Sequence, residues 1–182
     1  MGFRQAAVLS SVSFFLGVLF ICLNVDYRLL FHLNEQAVED GFQLYTTFYS
    51  APPAIKAMLY GIGGVGIIGL TSKVATWDES ALFFDGSSLA AYIFSIALYF
   101  TVTIPSVQTV VDPVPDVDTR EDQIEAMRIL SASNTLAMML LGGILALQAG
   151  QEYARRLEQR ELARAAALEK TEGSTLEVKK DQ

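Results

Sequence analysis

The stretch Gln5–Val25, QAAVLSSVSFFLGVLFICLNV, contains no Lys, Arg, Asp or Glu and decides the fold class. Three further stretches share this property, and most charged residues lie between them: 57–72, 86–111 and 129–151. A helix needs about 20 apolar residues to cross a hydrocarbon core about 30 Å thick, and soluble helices seldom avoid charge for that length. The pattern predicts four transmembrane spans, at about residues 6–25, 54–70, 89–110 and 130–150.

The first span follows Arg4 near the N-terminus, so it could instead be a secretory signal peptide. A signal peptidase needs small residues after the apolar region, whereas the segment from Ile21 to Asp26 is bulky. We therefore predict an uncleaved membrane anchor.

Two regions follow from this pattern. Residues 1–150 are predicted to form an all-α membrane domain, a four-helix bundle, and residues 151–182 a polar cytosolic tail. The tail is rich in Ala, Glu, Arg and Leu as far as Lys170, so we expect it to continue the fourth helix as a solvated extension. Beyond Thr171, alternating charges with Gly173 and Ser174 predict a flexible end.

The orientation of the spans is predicted from Lys and Arg, which are in excess in cytosolic segments. With both termini in the cytosol, that side holds Arg4, Lys73, Arg155, Arg156, Arg160, Arg164, Lys170, Lys179 and Lys180. The other side then holds Arg28, Lys56, Arg120 and Arg128. The bias, which comes mainly from the tail, predicts that both termini are cytosolic.

The loop after the first span carries apolar residues at helical spacing: Val38, Phe42, Tyr45, and Phe48 or Tyr49. The spacing predicts a short amphipathic helix at the membrane surface, ended by Pro52-Pro53. Its apolar face is expected to be an aromatic belt that anchors the loop or, alternatively, a groove for a partner.

The other two loops carry one local signal each. Trp77, beside Asp78 and Glu79, is an expected anchor at the membrane interface. Thr119 and Asp122 form a capping-box pattern, which predicts that the fourth helix begins near Arg120. The acidic residues around this start match no twelve-residue calcium loop and are expected to be solvated.

The sequence offers little for catalysis or for binding a cofactor. The single histidine, His32, lies in a loop and the single cysteine, Cys22, inside a span, so they provide neither a hydrolytic triad nor a metal site. Carboxylates near the membrane edge are candidates for lipid-transfer chemistry by position alone: Asp26, Asp78, Glu79 and Asp85. We predict a non-enzymatic protein without a cofactor or metal.

Three other functions are disfavoured. Nucleic acid is not expected as a partner, because the net charge is −7 and no basic patch with interleaved aromatics occurs. The glycines from Gly61 to Gly66 are predicted to lie in hydrocarbon, without the strand that a nucleotide loop requires. A transporter is disfavoured because Lys56, at the mouth of the second span, is the one charged residue in a predicted span.

Small residues recur along three spans. The fourth span presents Asn134, Met138, Gly142, Ala146 and Gly150 on one face. The second presents Ala57, Gly61, Gly64 and Gly66, and the third Ser87, Ala91 and Ser95. Small residues let helices approach closely, and in lipid this packing drives association. The stripes either pack the protein's own helices or also receive a helix of another membrane protein, and the sequence favours neither interpretation.

The final residues Lys179-Lys180-Asp181-Gln182 match the dilysine pattern of a retrieval signal that the COPI coat reads on ER membrane proteins. The distance of the lysines from the last residue, the flexible approach and the predicted cytosolic side all fit such a signal. We therefore predict an ER membrane protein.

Several motifs together resemble the fungal Shr-three family, ER membrane chaperones for amino-acid permeases. They are Val25-Asp26-Tyr27-Arg28-Leu29-Leu30-Phe31, Pro52-Pro53-Ala54-Ile55-Lys56, Leu82-Phe83-Phe84-Asp85-Gly86-Ser87-Ser88-Leu89, Arg128-Ile129-Leu130-Ser131-Ala132-Ser133-Asn134 and Leu147-Gln148-Ala149-Gly150-Gln151. The resemblance covers about residues 8–155 and includes no catalytic signature.

The resemblance implies a packaging chaperone. Such a protein holds amino-acid permeases in the membrane lipid while their helices assemble, prevents their aggregation and favours their exit in COPII vesicles, while itself staying in the ER. The family's polar tail is linked to coat contact, and the tail here is short. The alternative hypothesis is a small ER tetraspan that assists lipid-synthesising enzymes, with an enzyme proper as the third.

Overall fold

The computed structural model describes the backbone of residues 2–75 and 79–180 and the side chains of residues 2–75 and 82–167. Its helices are α1 Phe3–Phe31, α2 Glu35–Tyr49, α3 Pro53–Val74, α4 Glu79–Leu98, α5 Ile104–Val111 and α6 Arg120–Lys180, with a π-helical segment, Tyr99–Thr103, between α4 and α5. Trp77 and Asp78 lie outside the described residues, as does the side chain of Glu79, so the interface anchor stays a prediction.

The all-α membrane fold is confirmed, since the described part of the chain is helical and contains no strand. Four helical segments are long and apolar enough to cross a membrane: Phe3–Phe31, Pro53–Val74, Leu82–Val111 and Arg120–Ala167. Each contains one predicted span and continues beyond it at both ends. The helices are longer than the spans because charged residues, which limited the spans, are accommodated within them.

The four long segments form a closed bundle in which each packs on two neighbours. α1 lies between α3 and α6, and the α4–α5 segment lies opposite α1, between α3 and α6. One apolar core joins α1, α3, α4 and α6 and includes Val8, Leu70, Tyr92 and Ile144. A second core lies towards α2 and α5 and includes Leu29, Val38, Val110, Met127 and Leu130.

α2 is the amphipathic helix that the sequence predicted. The Asn34 side chain caps it by accepting a hydrogen bond of 2.7 Å from the Ala37 amide. The helix runs back along α1, and its apolar face packs on α1 and α5, with Val38 and Tyr45 buried. The sequence predicted that this face anchors the loop in the membrane or forms a groove for a partner. Val38 and Tyr45 fit neither expectation, because they are buried against the bundle itself.

Pro105 changes the hydrogen-bonding pattern of the third span from α-helical to π-helical over Tyr99–Thr103. This residue has no amide proton and its ring crowds the preceding turn, so a regular α-helix cannot pass through it. The Ile104 amide bonds to the carbonyl of Tyr99, five residues back, and the wider turn accommodates the proline. α5 then resumes and packs on α2 and α6.

α6 begins where the sequence predicted. The Thr119 amide donates to Asp122 Oδ2 at 2.8 Å, and the Asp122 amide donates to Thr119 Oγ1 at 3.3 Å. The helix reaches Lys180, past Thr171, where the sequence predicted the start of a flexible end. Gly173 is the strongest helix breaker in that segment, and one glycine costs a helix only about 1 kcal/mol.

The glycines of α3 divide between two sides of the helix. A Cβ atom at Gly66 would lie 2.6 Å from Ser11 Oγ, and one at Gly69 would lie 2.9 Å from Val8 Cγ2, so these two glycines permit close contact with α1. A Cβ atom at Gly61 or Gly64 would meet nothing within 4 Å. Of the predicted small-residue surface, Gly66 is therefore used inside the bundle, while Ala57, Gly61 and Gly64 remain open.

Candidate functional site

A buried polar cluster joins α1, α2 and α6 at one end of the bundle. We call it the Asp26 cluster, and its members are Asp26, Tyr45, Ser131 and Asn134. The Tyr45 hydroxyl donates a hydrogen bond to Asp26 Oδ1, and Asn134 Nδ2 donates to Asp26 Oδ2 at 3.1 Å. The Ser131 hydroxyl donates to the Met127 carbonyl at 3.0 Å and lies 3.5 Å from the Tyr45 hydroxyl. The carboxylate therefore accepts hydrogen bonds from two different helices.

Tyr45 acts as a fixed donor in this cluster. Burial raises the pKa of its hydroxyl, and the neighbouring Asp26 carboxylate raises it further, because a second negative charge at this place is unfavourable. The hydroxyl therefore keeps its proton and remains directed at Asp26.

A second polar cluster joins α3, α4 and α6 at the opposite end. We call it the Lys73 cluster, and its members are Lys73, Asp85, Ser88, Gln148 and Gln151. Lys73 Nζ lies 2.7 Å from Asp85 Oδ1, donates to Gln148 Oε1 and donates to Gln151 Oε1 at 2.8 Å. All five side chains are buried, and Lys73 is 6% exposed and Asp85 1% exposed.

The two glutamines complete the Lys73 cluster. Gln148 Nε2 donates to Asp85 Oδ1 at 3.0 Å and to Ser88 Oγ at 3.1 Å, and Gln151 Nε2 donates to Asp85 Oδ2 at 2.7 Å. Each amide thus bridges the lysine and the carboxylate with its two ends. Such bridging offsets the cost of removing both charges from water, which a bare ion pair does not achieve.

The two clusters bracket the apolar part of the bundle. Along α6, Asn134 and Gln151 are about 25 Å apart at 1.5 Å per residue, which is slightly less than the thickness of a hydrocarbon core. Asp26, Lys73 and Asp85 lie just outside the predicted spans but inside the helices. The helices thus bury charged side chains just beyond the predicted spans, within which Lys56 is the one charged residue.

The predicted face of the fourth span does not have one environment. Asn134 belongs to the Asp26 cluster, and a Cβ atom at Gly150 would lie 3.3 Å from the Phe84 ring. Between them, Met138 is half-buried, a Cβ atom at Gly142 would meet nothing within 4 Å, and Ala146 is exposed. The ends of this face pack inside the bundle and its middle is open.

Open, thin surface also occurs on α3, where Ala57 and Gly61 are exposed and Gly64 is half-exposed. Large apolar side chains flank it on the same helix, with Met58, Tyr60 and Ile68 each more than half exposed. On α4, Ser87 is exposed, while Ala91 and Ser95 are half-buried. These surfaces can contact lipid or another transmembrane helix.

The sequence did not single out Lys73, Gln148, Gln151, Tyr45 or Ser131 as site residues. Lys73 counted only towards orientation, since a lysine at the end of a span usually reaches water. Gln148 and Gln151 are three residues apart and therefore share one helix face. This spacing was the sequence signal from which a polar cluster on α6 could have been predicted. Of the carboxylates proposed by position, Asp26 and Asp85 lie in separate clusters at opposite ends.

Of the remaining reactive side chains, Cys22 lies one helical turn before Asp26 on α1, beside the Asp26 cluster. His32 is exposed beside the Tyr27 ring, with 5.5 Å between the ring centroids. Cys22 is a buried free thiol. Among the described residues, no group of three or more His, Cys, Asp and Glu side chains could hold a metal ion.

The fold and the two clusters define a multi-pass helical membrane protein whose polar groups hold helices together. A family profile described as ER membrane protein SH3, of the SHR3 chaperones, matches residues 1–182. The secretory component protein psh3 of Schizosaccharomyces pombe is 27% identical over 199 residues, which cover 97% of this chain and 88% of that protein. No solved structure matches the chain.

The chain therefore belongs to the SHR3 chaperone family. It is a multi-pass ER membrane chaperone, which is a non-enzymatic function, and its clients are membrane proteins. The family resemblance seen in its loop motifs is confirmed.

Proposed function

We propose that this chaperone assists the folding of amino-acid permeases, prevents their aggregation and promotes their COPII-dependent exit from the ER. Membership in the SHR3 family supports the chaperone activity. The observation that favours a helix-binding mode is that Gly61, Gly64 and Gly142 have open space where a side chain would stand.

These open glycines allow the close helix packing that a half-assembled permease still lacks. In lipid, helices associate through close packing and interhelical hydrogen bonds, and an unassembled transmembrane helix exposes the surfaces meant for its own neighbours. The thin surface around Gly61 on α3 and the one around Gly142 on α6 offer close packing without displacing the protein's own helices. A contact of this kind is weak enough to be exchanged for the permease's native contacts.

The client class is tested by deleting the gene in its host. We expect amino-acid permeases to accumulate in the ER as aggregates, while other polytopic proteins, such as sugar transporters, reach the plasma membrane. Normal permease delivery combined with altered sterol or phospholipid composition would contradict the proposal and favour the scaffold for lipid-synthesising enzymes.

The helix-binding face is tested by matched substitutions. Gly142→Leu fills the open middle of the α6 face, and Gly143→Leu places the same side chain on a neighbouring exposed position where a Cβ atom also has free space. We expect Gly142→Leu to reduce permease cross-linking and delivery and Gly143→Leu to leave both unchanged. Equal effects of the two variants would show that the face of Asn134, Met138, Gly142, Ala146 and Gly150 is not used for clients.

We also propose that both termini are cytosolic and that Lys179 and Lys180 return the protein to the ER through the COPI coat. A glycosylation acceptor placed in the 112–119 loop should be modified, whereas one placed after Gln151 should not. Replacing both lysines with Ser should release the protein from the ER. Retention of that variant in the ER would remove the retrieval role, and COPII contact by the short tail would then be tested separately by vesicle budding.

A further inference from the structure

The two buried carboxylates, Asp26 and Asp85, differ in their partners. Asp85 has a cation of its own, since Lys73 Nζ lies 2.7 Å away. The hydrogen-bond donors at Asp26 are the neutral side chains of Tyr45 and Asn134, and no ion pair to Asp26 occurs among the side chains that the structure describes. Burial of a carboxylate without a cation is costly. A proton or a cation removes that cost, so Asp26 can bind a positive charge that the surrounding helices do not supply.

The nearest arginine along the chain, Arg28, does not serve Asp26. Its Nη1 bonds to Asp40 Oδ2 at 2.7 Å, and its Nε donates to the Asn24 carbonyl at 3.3 Å. This arginine fastens α2 to α1 at the open edge of the bundle. Both partners of that ion pair are about one-third exposed, so water screens the pair and its contribution to stability is small.

Access to Asp26 passes through α2. The Tyr45 side chain from α2 covers one carboxylate oxygen, while Asn134 approaches the other from α6. The buried residues of α2 number only four, namely Ala37, Val38, Gly41 and Tyr45, and non-helical segments at residues 32–34 and 50–52 join the helix to α1 and α3. α2 is therefore attached to the transmembrane helices by a small buried face and by two short non-helical connections.

We propose that α2 is a latch over an acidic binding site, formed by Asp26 and Asn134, that takes a Lys or Arg side chain of an unassembled transmembrane helix. This inference rests on the proposed chaperone function and specifies the chemistry of the client. A basic residue on a half-assembled helix is costly in hydrocarbon until an anion pairs with it. Asp26 supplies the anion and Asn134 a second polar contact. When the client's own acidic partner takes the basic residue, Tyr45 returns to Asp26 and the site closes.

The test uses the full chain in lipid nanodiscs and a synthetic transmembrane peptide of about 20 Leu and Ala residues. One version carries a single Lys one helical turn from one end, the other carries Leu there, and both carry a photoreactive group. We expect the wild-type protein to capture the Lys peptide in preference to the Leu peptide. Asp26→Asn, which keeps the shape of the side chain but removes its charge and replaces one acceptor oxygen with an NH2 donor, should abolish this preference.

A second variant tests the latch itself. Tyr45→Phe keeps the ring and removes only the hydroxyl that holds α2 to Asp26. It should raise capture of the Lys peptide about two- to tenfold, which corresponds to one hydrogen bond. Glu39→Gln, on the exposed side of α2, is the matched control and should leave capture unchanged. Because Tyr45→Phe leaves the carboxylate in place, it keeps the proposal testable even where Asp26→Asn fails to fold.

Equal capture of the Lys and Leu peptides by the wild-type protein would overturn the proposal. So would an unchanged preference in Asp26→Asn, or unchanged or lower capture by Tyr45→Phe. The chaperone function is judged separately, by permease delivery in cells. Normal delivery in the Asp26→Asn strain, against failed delivery in the deletion strain, would refute the latch and leave the chaperone function standing. Normal delivery in the deletion strain would refute the chaperone function whatever the peptides show.

Discussion

Gln151 holds both members of the buried ion pair, with Oε1 accepting from Lys73 Nζ at 2.8 Å and Nε2 donating to Asp85 Oδ2 at 2.7 Å. One side chain of α6 thereby fixes the relative position of α3 and α4. In lipid, where apolar surfaces give little preference for one helix register over another, such a polar contact makes the packing specific.

Loss of one member of the buried ion pair should destabilise the bundle strongly. Lys73→Met leaves Asp85 without its cation, which costs about 3–5 kcal/mol, whereas Lys73→Met combined with Asp85→Leu should recover part of that loss. Thermal unfolding in detergent measures both variants. Arg156→Met, which breaks the exposed pair with Glu152, is the control and should leave the unfolding temperature close to that of the wild type. A single variant as stable as wild type would show that the pair contributes little.

The close contact of α1 and α3 should depend on Gly66 and not on Gly64. A methyl group at Gly66 would lie 2.6 Å from Ser11 Oγ, so Gly66→Ala should cost about 1–3 kcal/mol. Gly64→Ala adds the same methyl group where nothing lies within 4 Å, and it should be neutral or stabilising by up to about 1 kcal/mol. Denaturant unfolding of the two variants in matched micelles compares them, and the reverse ranking would contradict this packing.

The hydroxyls of Ser11 and Tyr92 should be coupled. They lie 2.9 Å apart between α1 and α4, and their two protons are shared among this contact and the α3 carbonyls of Ile62 and Gly63. A double-mutant cycle with Ser11→Ala and Tyr92→Phe should give a coupling free energy of about 0.6 kcal/mol, the average for hydrogen bonds between transmembrane helices. A cycle with the exposed Ser10→Ala in place of Ser11→Ala should give a value near zero.

The start of α6 should fray when its cap is removed. Thr119→Ala deletes the hydroxyl that accepts from the Asp122 amide, which should cost about 1 kcal/mol and speed hydrogen exchange in the first turn. Glu121→Gln alters a neighbouring exposed side chain outside the capping pair and should change exchange only slightly. Equal protection in Thr119→Ala and wild type would show that the cap does not hold this end.

The features that the sequence predicted are those carried by local signals. Charge-free stretches locate the spans, and Thr119 with Asp122 locates the start of α6, because the physical cause acts within a few residues or along one helix. The two polar clusters could not be predicted in this way, since Lys73 meets Gln151 only after three helices have packed. Pro105 can be read from the sequence, but the wider turn that accommodates it cannot be predicted, because that turn depends on how α5 packs against α2 and α6.

α6 is the last of the spanning helices to be synthesised, and it supplies Asn134 to one cluster and both Gln148 and Gln151 to the other. Until it enters the membrane, Lys73 and Asp85 lack their bridging amides and Asp26 lacks its second donor. Before that step its own helices carry unsatisfied polar groups in lipid, the condition that we propose it relieves in its clients. Insertion of this one helix closes both ends of the bundle together.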